Sequence, residues 1–328
     1  MKESLANLCE SFVTNSDMIY KQKGFKLVST KIMPMCSYAY LTSGKTVEPE
    51  RLQECLKLVE SKGGGSLSGM RDAFQGAHAC MLAVSDDPAA AMESDAMIFE
   101  KLKKAYPDSK YIGVAASLLP RLVKPEALDE KITRGRRLFD DLAEKHKMNT
   151  DFHDSLMTSI IACSDKTDDA IADETEKIYT EIKTLTSGEY AQDCALILTC
   201  SDKPAEEKIA RFKELYEALT KDKKNKYSNG PAIVTLAALA LFAADAGTLI
   251  SDITEVADLL AEKKNYKGLL AIYNRDERML HAAMLVMADN MTDDKYVCSV
   301  AAMYLSVFYL YELEQGISSV AGVLPLMV

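Results

Sequence analysis

Hydrophobic and polar positions divide the chain into two kinds of segment. One kind carries apolar residues three or four positions apart on a charged background, as at Phe212, Leu215 and Leu219. This spacing predicts an amphipathic helix with one buried face. The other kind is apolar in every direction, as in Cys194–Cys200 (CALILTC) and Ile233–Ala244 (IVTLAALALFAA). Such a segment predicts a helix that its neighbours cover on all sides.

The amphipathic segments share a pair of adjacent residues, bulky in all but the last copy, that recurs every 37 to 41 residues. The copies are Leu58-Val59, Ile98-Phe99, Leu138-Phe139, Ile178-Tyr179, Leu215-Tyr216 and Val256-Ala257. A second match joins distant parts of the chain, because HACMLAVSDD at His78–Asp87 resembles HAAMLVMADN at His281–Asn290. A fixed period in this range is typical of stacked helical hairpins.

These patterns predict an all-α protein of six or seven stacked hairpins of about 40 residues, each an apolar helix followed by an amphipathic one. The stack is either an open α-solenoid or a closed α/α ring, and the pattern leaves both open. The scarcity of glycine (15) and proline (9) agrees with helices. We expect a single domain over residues 1–328, with an N-terminal cap helix at about 1–28, hairpins at about 29–295 and an apolar C-terminal cap at about 296–328.

The tetrapeptide Cys-Ser-Asp-Lys occurs twice, at Cys163–Lys166 and at Cys200–Lys203. Each copy follows an apolar segment and precedes a charged one. A reactive thiolate or a metal site would need a neighbouring histidine, a CxxC spacing or a glycine-rich approach, and these stretches contain none of them. We therefore predict a structural turn in which the serine and the aspartate cap the helix that follows.

Two further segments need an explanation. Ser61–Gly69 (SKGGGSLSG) is rich in glycine but lacks the residue order of a phosphate loop, so it predicts a longer turn between hairpins. Val297–Tyr311 and Ile317–Val328 are apolar, although the end of a helical stack normally turns a polar face outward. This tail could fold into the core, form a dimer contact or touch a membrane, and we favour the core.

Composition and charge exclude some classes of partner. The chain carries 39 Lys and Arg against 49 Asp and Glu, a net charge of −10, which disfavours nucleic acid as a ligand. The eight cysteines form no CxxC pair, and no secretion signal is recognisable at the start. We expect reduced, mostly buried cysteines in a cytoplasmic protein. No stretch reaches the roughly 18 to 20 continuous apolar residues of a membrane-spanning helix, so we do not expect membrane contact.

The candidate ligand-binding residues are two histidines and a basic run. His78 and His281 occupy matching positions of the repeat, and they form two halves of one site if the stack closes into a ring. The alternative is that each histidine is packed and satisfied by one hydrogen bond. Arg134, Arg136 and Arg137 form either a phosphate-binding patch or a solvated face in which Arg137 pairs with Asp141.

No catalytic set, metal site or cofactor site can be assembled from residue spacing alone, so none is predicted. We therefore expect a non-enzymatic module for protein interaction or scaffolding, with a protein partner or a second copy bound through the apolar C-terminus. The alternative is an enzyme or small-molecule binder built on a helical ring, with a central pocket lined by His78 and His281.

Three stretches carry a family resemblance: ACMLAVSDDPAAA, TLAALALFAADAGTLISDITEVADLLAEKK and RMLHAAMLVMAD. They resemble segments of an uncharacterised, all-helical bacterial family catalogued as domain of unknown function four-thousand-and-three. Members are similar in length to this chain, so the resemblance spans nearly all of it. It implies a fold family and no activity, cofactor or binding residue.

Overall fold

The computed structural model describes residues 2–25, 30–62, 74–107, 109, 111–222, 226–227, 230–268 and 271–323, with side chains up to residue 312 except that of residue 62. The described residues contain helices and no strand, which confirms the all-α prediction. The α-helices in this part are α1 (Glu3–Tyr20), α2 (Met33–Ser43), α3 (Pro49–Lys62), α4 (Gln75–Val84), α5 (Pro88–Ala105), α6 (Ile112–Leu118), α7 (Leu128–Lys145), α8 (Asp154–Ile161), α9 (Asp168–Ile182), α10 (Gly188–Thr199), α11 (Ala205–Lys221), α12 (Ile233–Leu239), α13 (Ala246–Ala261), α14 (Arg275–Asp289) and α15 (Asp293–Val323).

The first fourteen helices form two sets. The inner helices, which carry even numbers from α2 to α14, are buried over most of their length; in α10 every residue from 191 to 199 is buried. The outer helices, which carry odd numbers from α1 to α13, bury a single stripe, and in α11 that stripe includes Phe212, Leu215 and Leu219. The two hydrophobic patterns in the sequence therefore correspond to two positions in the fold.

The packing unit is an outer helix followed by an inner helix. Extensive contacts join α1 to α2, α3 to α4, and so on to α13 with α14. The sequence pattern suggested the reverse order, with the apolar helix first. Successive outer helices also contact one another from α3 through to α13. The segment between an inner helix and the next outer helix therefore connects one helix pair to the next pair.

The recurring bulky pair lies at an equivalent place in successive outer helices. Its first residue is buried in α5, α7, α9, α11 and α13. Its second residue in α7, α9 and α11 contacts the segment that follows the preceding outer helix. Three such contacts are Phe139 edge-on to Tyr106, Tyr179 Oη accepting from Asn149 Nδ2, and Tyr216 Oη donating to the Leu185 carbonyl. The sequence repeat thus corresponds to a contact between successive outer helices that is itself repeated.

The packing order returns to its starting point. Helix α1 packs against α13 and α14, and α2 packs against α14. The ammonium of Lys2 lies 2.7 Å from the Asp252 carboxylate on α13, and the Tyr273 hydroxyl donates a 2.9 Å hydrogen bond to the Thr30 carbonyl. The first and last pairs are therefore joined by packing, an ion pair and a hydrogen bond.

Helix α15 lies inside the set of inner helices. Every residue from 299 to 309 is buried, and the helix contacts α2, α6, α8 and α12. Side chains extend the contacts to α4 and α10 through Tyr304 with Met81 and Tyr309 with Asp193. The core interpretation is thus confirmed for residues 299–309. No helix in the described part is long and apolar enough to span a bilayer.

Two predicted features fall outside the described residues. The glycine-rich turn lies largely in residues 63–73, and the tail at 317–328 lies beyond the last described side chain. The eight cysteines are all described; none is in a disulfide, five are buried and three are partly buried. This agrees with the predicted use of cysteine as a small apolar residue.

The capping role predicted for the Cys-Ser-Asp-Lys copies is wrong. Helix α9 begins at Asp168, and the side chain that caps it is that of Thr167, which accepts a hydrogen bond from Ala170 N. Helix α11 has no side-chain cap and follows Pro204. The copies lie too early for capping, because the inner helices end just before them and a turn of several residues follows.

The turns themselves are held by buried or partly buried cations. Arg134 on α7 donates to the Ala162, Ser164 and Lys166 carbonyls and pairs with Asp168. In the next turn the Lys166 ammonium donates to the Thr199 and Ser201 carbonyls at 2.8 Å each. These bonds satisfy carbonyls at the carboxyl ends of α8 and α10 and favour the negative end of each helix dipole.

Candidate functional site

The first predicted histidine, His78, is buried and paired. It lies on α4 and is 4% exposed, and its Nε2 is 2.8 Å from Asp95 Oδ2 on α5. The two residues are 17 positions apart on successive helices, so residue spacing did not reveal the partner. Asp95 also borders a cavity of about 430 Å³ at the end of the inner helices where α15 begins.

That cavity offers little chemistry beyond Asp95. The hydroxyls of Thr42, Ser85 and Ser117 donate back to carbonyls of their own helices. The guanidinium of Arg121 lies over the Tyr296 ring at 4.0 Å from its centroid. The polar groups of the lining are thus largely engaged within the protein.

The second predicted histidine, His281, lies in an aromatic environment. Its Nδ1 is 2.7 Å from the Tyr266 hydroxyl, and its ring packs against Phe12 and Tyr273. Burial, with a smaller contribution from the nearby Lys31 charge, lowers the pKa of His281 to about 3. A neutral, hydrogen-bonded imidazole is what a packed histidine requires. His78 and His281 each have a partner of their own.

The basic run of α7 is engaged in ion pairs. Arg134 binds the turn after α8, as described above, and its side chain is only 12% exposed. Arg136 pairs with Asp140 at 2.5 Å, and Arg137 pairs with Asp168 at 2.5 Å. The partner expected for Arg137, Asp141, is thus replaced by a residue of the next outer helix.

A group of residues that the sequence did not single out carries more chemistry. We call it the acid–histidine cluster and define it as Tyr111, Asp151, His153, Asp154, Glu189, Asp193, Tyr309 and Glu312. These residues come from the segments that precede α6 and α8, from the starts of α8 and α10, and from the second half of α15. The cluster therefore lies at the opposite end of the inner helices from the cavity at Asp95.

The segments that carry the cluster are fixed by local hydrogen bonds. The Ser109 hydroxyl lies 2.7 Å from that of Ser155, donates to the Phe152 carbonyl, and accepts from the Tyr111 backbone N–H. The Asp154 carboxylate accepts from the Asp151 backbone N–H at 2.9 Å. The start of α8 is thereby held against the start of α6.

His153 is the central group of the cluster. It is 6% exposed, and its ring lies between those of Tyr111 and Tyr309 with centroids 4.3 and 4.2 Å away. Neither ring nitrogen has a hydrogen-bond partner within the protein. A buried imidazole normally has at least one, so His153 is available to a ligand.

Carboxylates approach both sides of this ring. Nδ1 of His153 is 3.8 Å from Asp151 Oδ2 and 3.9 Å from Glu189 Oε1, and Nε2 is 3.5 Å from Glu312 Oε2. Asp151 and Glu189 are about half exposed, whereas His153 is enclosed. The ligand-binding atoms of Asp151, His153 and Glu189 all lie within 4.8 Å of one another, so these three residues could hold a metal ion.

Two further carboxyls lie deeper. Asp154 is 3% exposed and Asp193 is 1% exposed, and burial raises the pKa of each above its usual range. The Tyr309 hydroxyl donates to Asp193 Oδ2 at 2.6 Å, while Asp193 Oδ1 has no hydrogen-bond partner. Burial also raises the pKa of Glu189; the nearby Asp151 and Glu312 carboxylates raise it further, whereas His153 lowers it. The cluster is thus acidic and favours a positively charged ligand.

The sequence held only one local signal for this cluster, the Asp-Phe-His triplet at Asp151–His153. The other members are up to 201 residues apart, as for Tyr111 and Glu312. The packing of α8 against α10, and of α15 against these inner helices, brings them together.

Comparison with known proteins agrees with the resemblance noted in the sequence. The model of the family described as "Protein of unknown function (DUF4003)" matches residues 17–312, which is most of the chain. Neither a curated protein nor a solved structure matches. The match includes the residues of the acid–histidine cluster and the segments that carried the resemblance. The chain therefore belongs to the family described as protein of unknown function DUF4003.

Proposed function

We propose that this protein is a closed α/α ring that binds a cationic ligand at the acid–histidine cluster. The contacts of α1 with α13 and α14, and of α2 with α14, support closure. The burial of α15 within the inner helices supports a ring whose centre is filled rather than hollow. The ligand site is thus at one end of the ring and not along its axis.

The observation that carries the proposal is the state of the His153 ring. It is almost fully buried, both nitrogens lack a hydrogen-bond partner, and three carboxylates lie within 4 Å of them. Leaving such a group unsatisfied costs about 1–3 kcal/mol, and a bound cation would offset this cost. Exposure of Asp151 and Glu189 gives that ligand access.

The central pocket proposed from sequence, lined by His78 and His281, is less well supported. Helix α15 occupies the interior, and each histidine is already hydrogen-bonded to a protein group. The cavity beside Asp95 has polar groups that are mostly engaged. We therefore place the ligand at His153.

A protein-interaction role is the second candidate function. Met148 is 98% exposed and Phe152 is 48% exposed, and both lie in the segment before His153. Apolar side chains at an accessible edge favour contact with another protein. A pulldown with Met148→Asp and Phe152→Asp variants tests this role, because capture that is unchanged by both substitutions contradicts it.

The cation proposal is tested by thermal shift. The wild-type chain is heated with a panel of cations, namely Zn²⁺, Mn²⁺, Ca²⁺, spermidine and choline. We expect at least one to raise the melting temperature of the wild type and to have a much smaller effect on Glu189→Gln. Glu181→Gln is the control, because Glu181 is an exposed carboxylate on α9 that pairs with Lys213. No shift with any cation, or equal shifts in Glu189→Gln and wild type, would refute the proposal.

A further inference from the structure

We infer that the cation is a divalent transition metal, held by Asp151, His153 Nδ1 and Glu189. This inference rests on the proposed function and specifies its ligand. Three ligands from one protein leave positions open for water or for a substrate oxygen, and this is the usual arrangement at reactive metal sites.

The distances fit a site that closes slightly around an ion. Ligand atoms about 2.1 Å from a tetrahedral metal are about 3.4 Å apart. Nδ1 of His153 is 3.8 Å from Asp151 Oδ2 and 3.9 Å from Glu189 Oε1. The Asp151 and Glu189 ligand atoms lie within 4.8 Å of each other, and rotation of these half-exposed carboxylate side chains can bring them closer to an ion. The histidine, which is buried and fixed between two tyrosine rings, needs no movement.

The second ring nitrogen of His153 supports the same assignment. A metal-bound histidine commonly donates its other N–H to a carboxylate, which fixes its tautomer and orientation. Glu312 Oε2 lies 3.5 Å from Nε2, and Glu312 Oε1 accepts a 2.9 Å hydrogen bond from the Tyr111 hydroxyl. Glu312 is therefore positioned to orient His153 by accepting the Nε2 proton.

The donor set selects the class of metal. One imidazole nitrogen with two carboxylate oxygens suits Zn²⁺, Mn²⁺, Fe²⁺ or Co²⁺. Ca²⁺ and Mg²⁺ prefer oxygen ligands alone, and no thiol of the kind that favours Cu⁺ belongs to the cluster. The negative charge of the cluster would also attract an organic amine. A metal is favoured because carboxylate oxygens of Asp151 and Glu189 both lie near His153 Nδ1, where all three atoms can bind one ion.

The arrangement also connects the metal to α15. Glu312 and Tyr309 lie on α15, whereas Asp151, His153 and Glu189 lie on or beside α8 and α10. Since Glu312 orients the histidine, loss of its carboxylate should weaken metal binding without removing a ligand. This separates a positioning role for Glu312 from the direct role of Asp151 and Glu189.

The test is calorimetric titration of the metal-stripped full-length protein with Zn²⁺, with Co²⁺ absorption spectra to report coordination. We expect one site in the wild type, at least tenfold weaker binding in Asp151→Asn, Glu189→Gln and His153→Gln, and a 10- to 100-fold loss in Glu312→Gln. The Co²⁺ bands should persist in Glu312→Gln at high metal and disappear in His153→Gln. Circular dichroism confirms that each variant is folded.

His146→Gln is the matched control, because His146 Nε2 also lies 2.7 Å from a carboxylate, that of Glu176, but outside the cluster. It should bind Zn²⁺ as the wild type does. Zn²⁺ affinity that is unchanged in Asp151→Asn and Glu189→Gln overturns the metal site. Binding of Ca²⁺, spermidine or choline, but of no transition metal, overturns this inference and leaves the proposed function standing. No response to any cation overturns both.

Discussion

The phenol of Tyr309 donates a 2.6 Å hydrogen bond to the carboxylate of Asp193, although 116 residues separate the two. The bond joins α15 to α10 in the interior, where Tyr309 is 5% and Asp193 is 1% exposed. It positions the second half of α15, and with it Glu312, against the starts of the inner helices. The interior helix and the acid–histidine cluster therefore depend on each other.

Tyr309→Phe should destabilise the protein by about 1–3 kcal/mol, because it leaves a buried carboxyl without a hydrogen-bond donor. Tyr304→Phe is the control, since its hydroxyl also lies on α15 but faces the Met81 sulfur, a weaker acceptor. Urea denaturation of both variants measures the difference. Equal losses of unfolding free energy would show that the hydrogen bond to Asp193 stabilises the protein no more than the contact of Tyr304 with Met81.

Arg134→Met should cost about 3 kcal/mol, because three carbonyls and Asp168 lose a charged donor in a partly buried turn. Arg136→Met should cost less, since the Arg136 side chain is 39% exposed and its ion pair with Asp140 is one helical turn away. Arg134→Lys should recover only part of the loss, because an ammonium cannot reproduce the fork of a guanidinium. Chemical denaturation of the three variants checks the ranking, and similar midpoints for Arg134→Met and Arg136→Met would contradict it.

Tyr216 tests the repeated contact between successive outer helices. Its hydroxyl donates to the Leu185 carbonyl at 2.9 Å, and its ring stacks on Phe212. Tyr216→Phe should cost about 1 kcal/mol and Tyr216→Ala about 3 kcal/mol, at the lower end for an aromatic deletion because the ring is only partly buried. Melting curves of the two variants separate the contribution of the hydroxyl from that of the ring. Unchanged melting temperatures would show that Tyr216 does not contribute to the packing between outer helices.

The stability of the protein should fall in mild acid because of His281. Burial lowers its folded-state pKa to about 3, against about 6.5 in an unfolded chain. The unfolded state then binds more protons, so the contribution is fully present above pH 6.5 and is lost as the pH falls towards 3. Between pH 7 and pH 5 the loss should be about 2 kcal/mol.

His281→Gln isolates this effect, since glutamine keeps a hydrogen-bonding group near Tyr266 but does not titrate. Unfolding free energies of both proteins at pH 7, 6 and 5 give the comparison. The wild type should lose stability faster than the variant over this range. Parallel curves would show that His281 is protonated in the folded protein at pH 5 as readily as in the unfolded chain.

The two helix types could be read from sequence because burial acts on each helix locally. A segment such as Ile233–Ala244 has no polar face, so no arrangement with an exposed side is open to it. The spacing of Leu138-Phe139 and Ile178-Tyr179 revealed the repeat because the second residue of each pair contacts the segment after the preceding outer helix. The helix starts were harder: Thr167 rather than Ser164 or Asp165 caps α9, since the turn after α8 is longer than the motif implied.

The acid–histidine cluster could not be found in this way. Its members lie in five segments, and the groups that surround His153 include residues as distant in sequence as Glu312. The partner of His78 was missed for the same reason on a smaller scale, because Asp95 lies on the next helix. Local pattern predicts which residues are buried, but long-range packing decides which polar residues are buried together.

The position of α15 has a consequence for synthesis. The ribosome makes this helix after the fourteen that precede it in the chain, so the inner helices that contact it lack their apolar partner until it emerges. Phe74, which packs on Tyr304 and Phe308, is among the side chains that lack this partner until α15 is made. Final consolidation of the interior is then a late event in folding, and the His153 site is completed only at that moment.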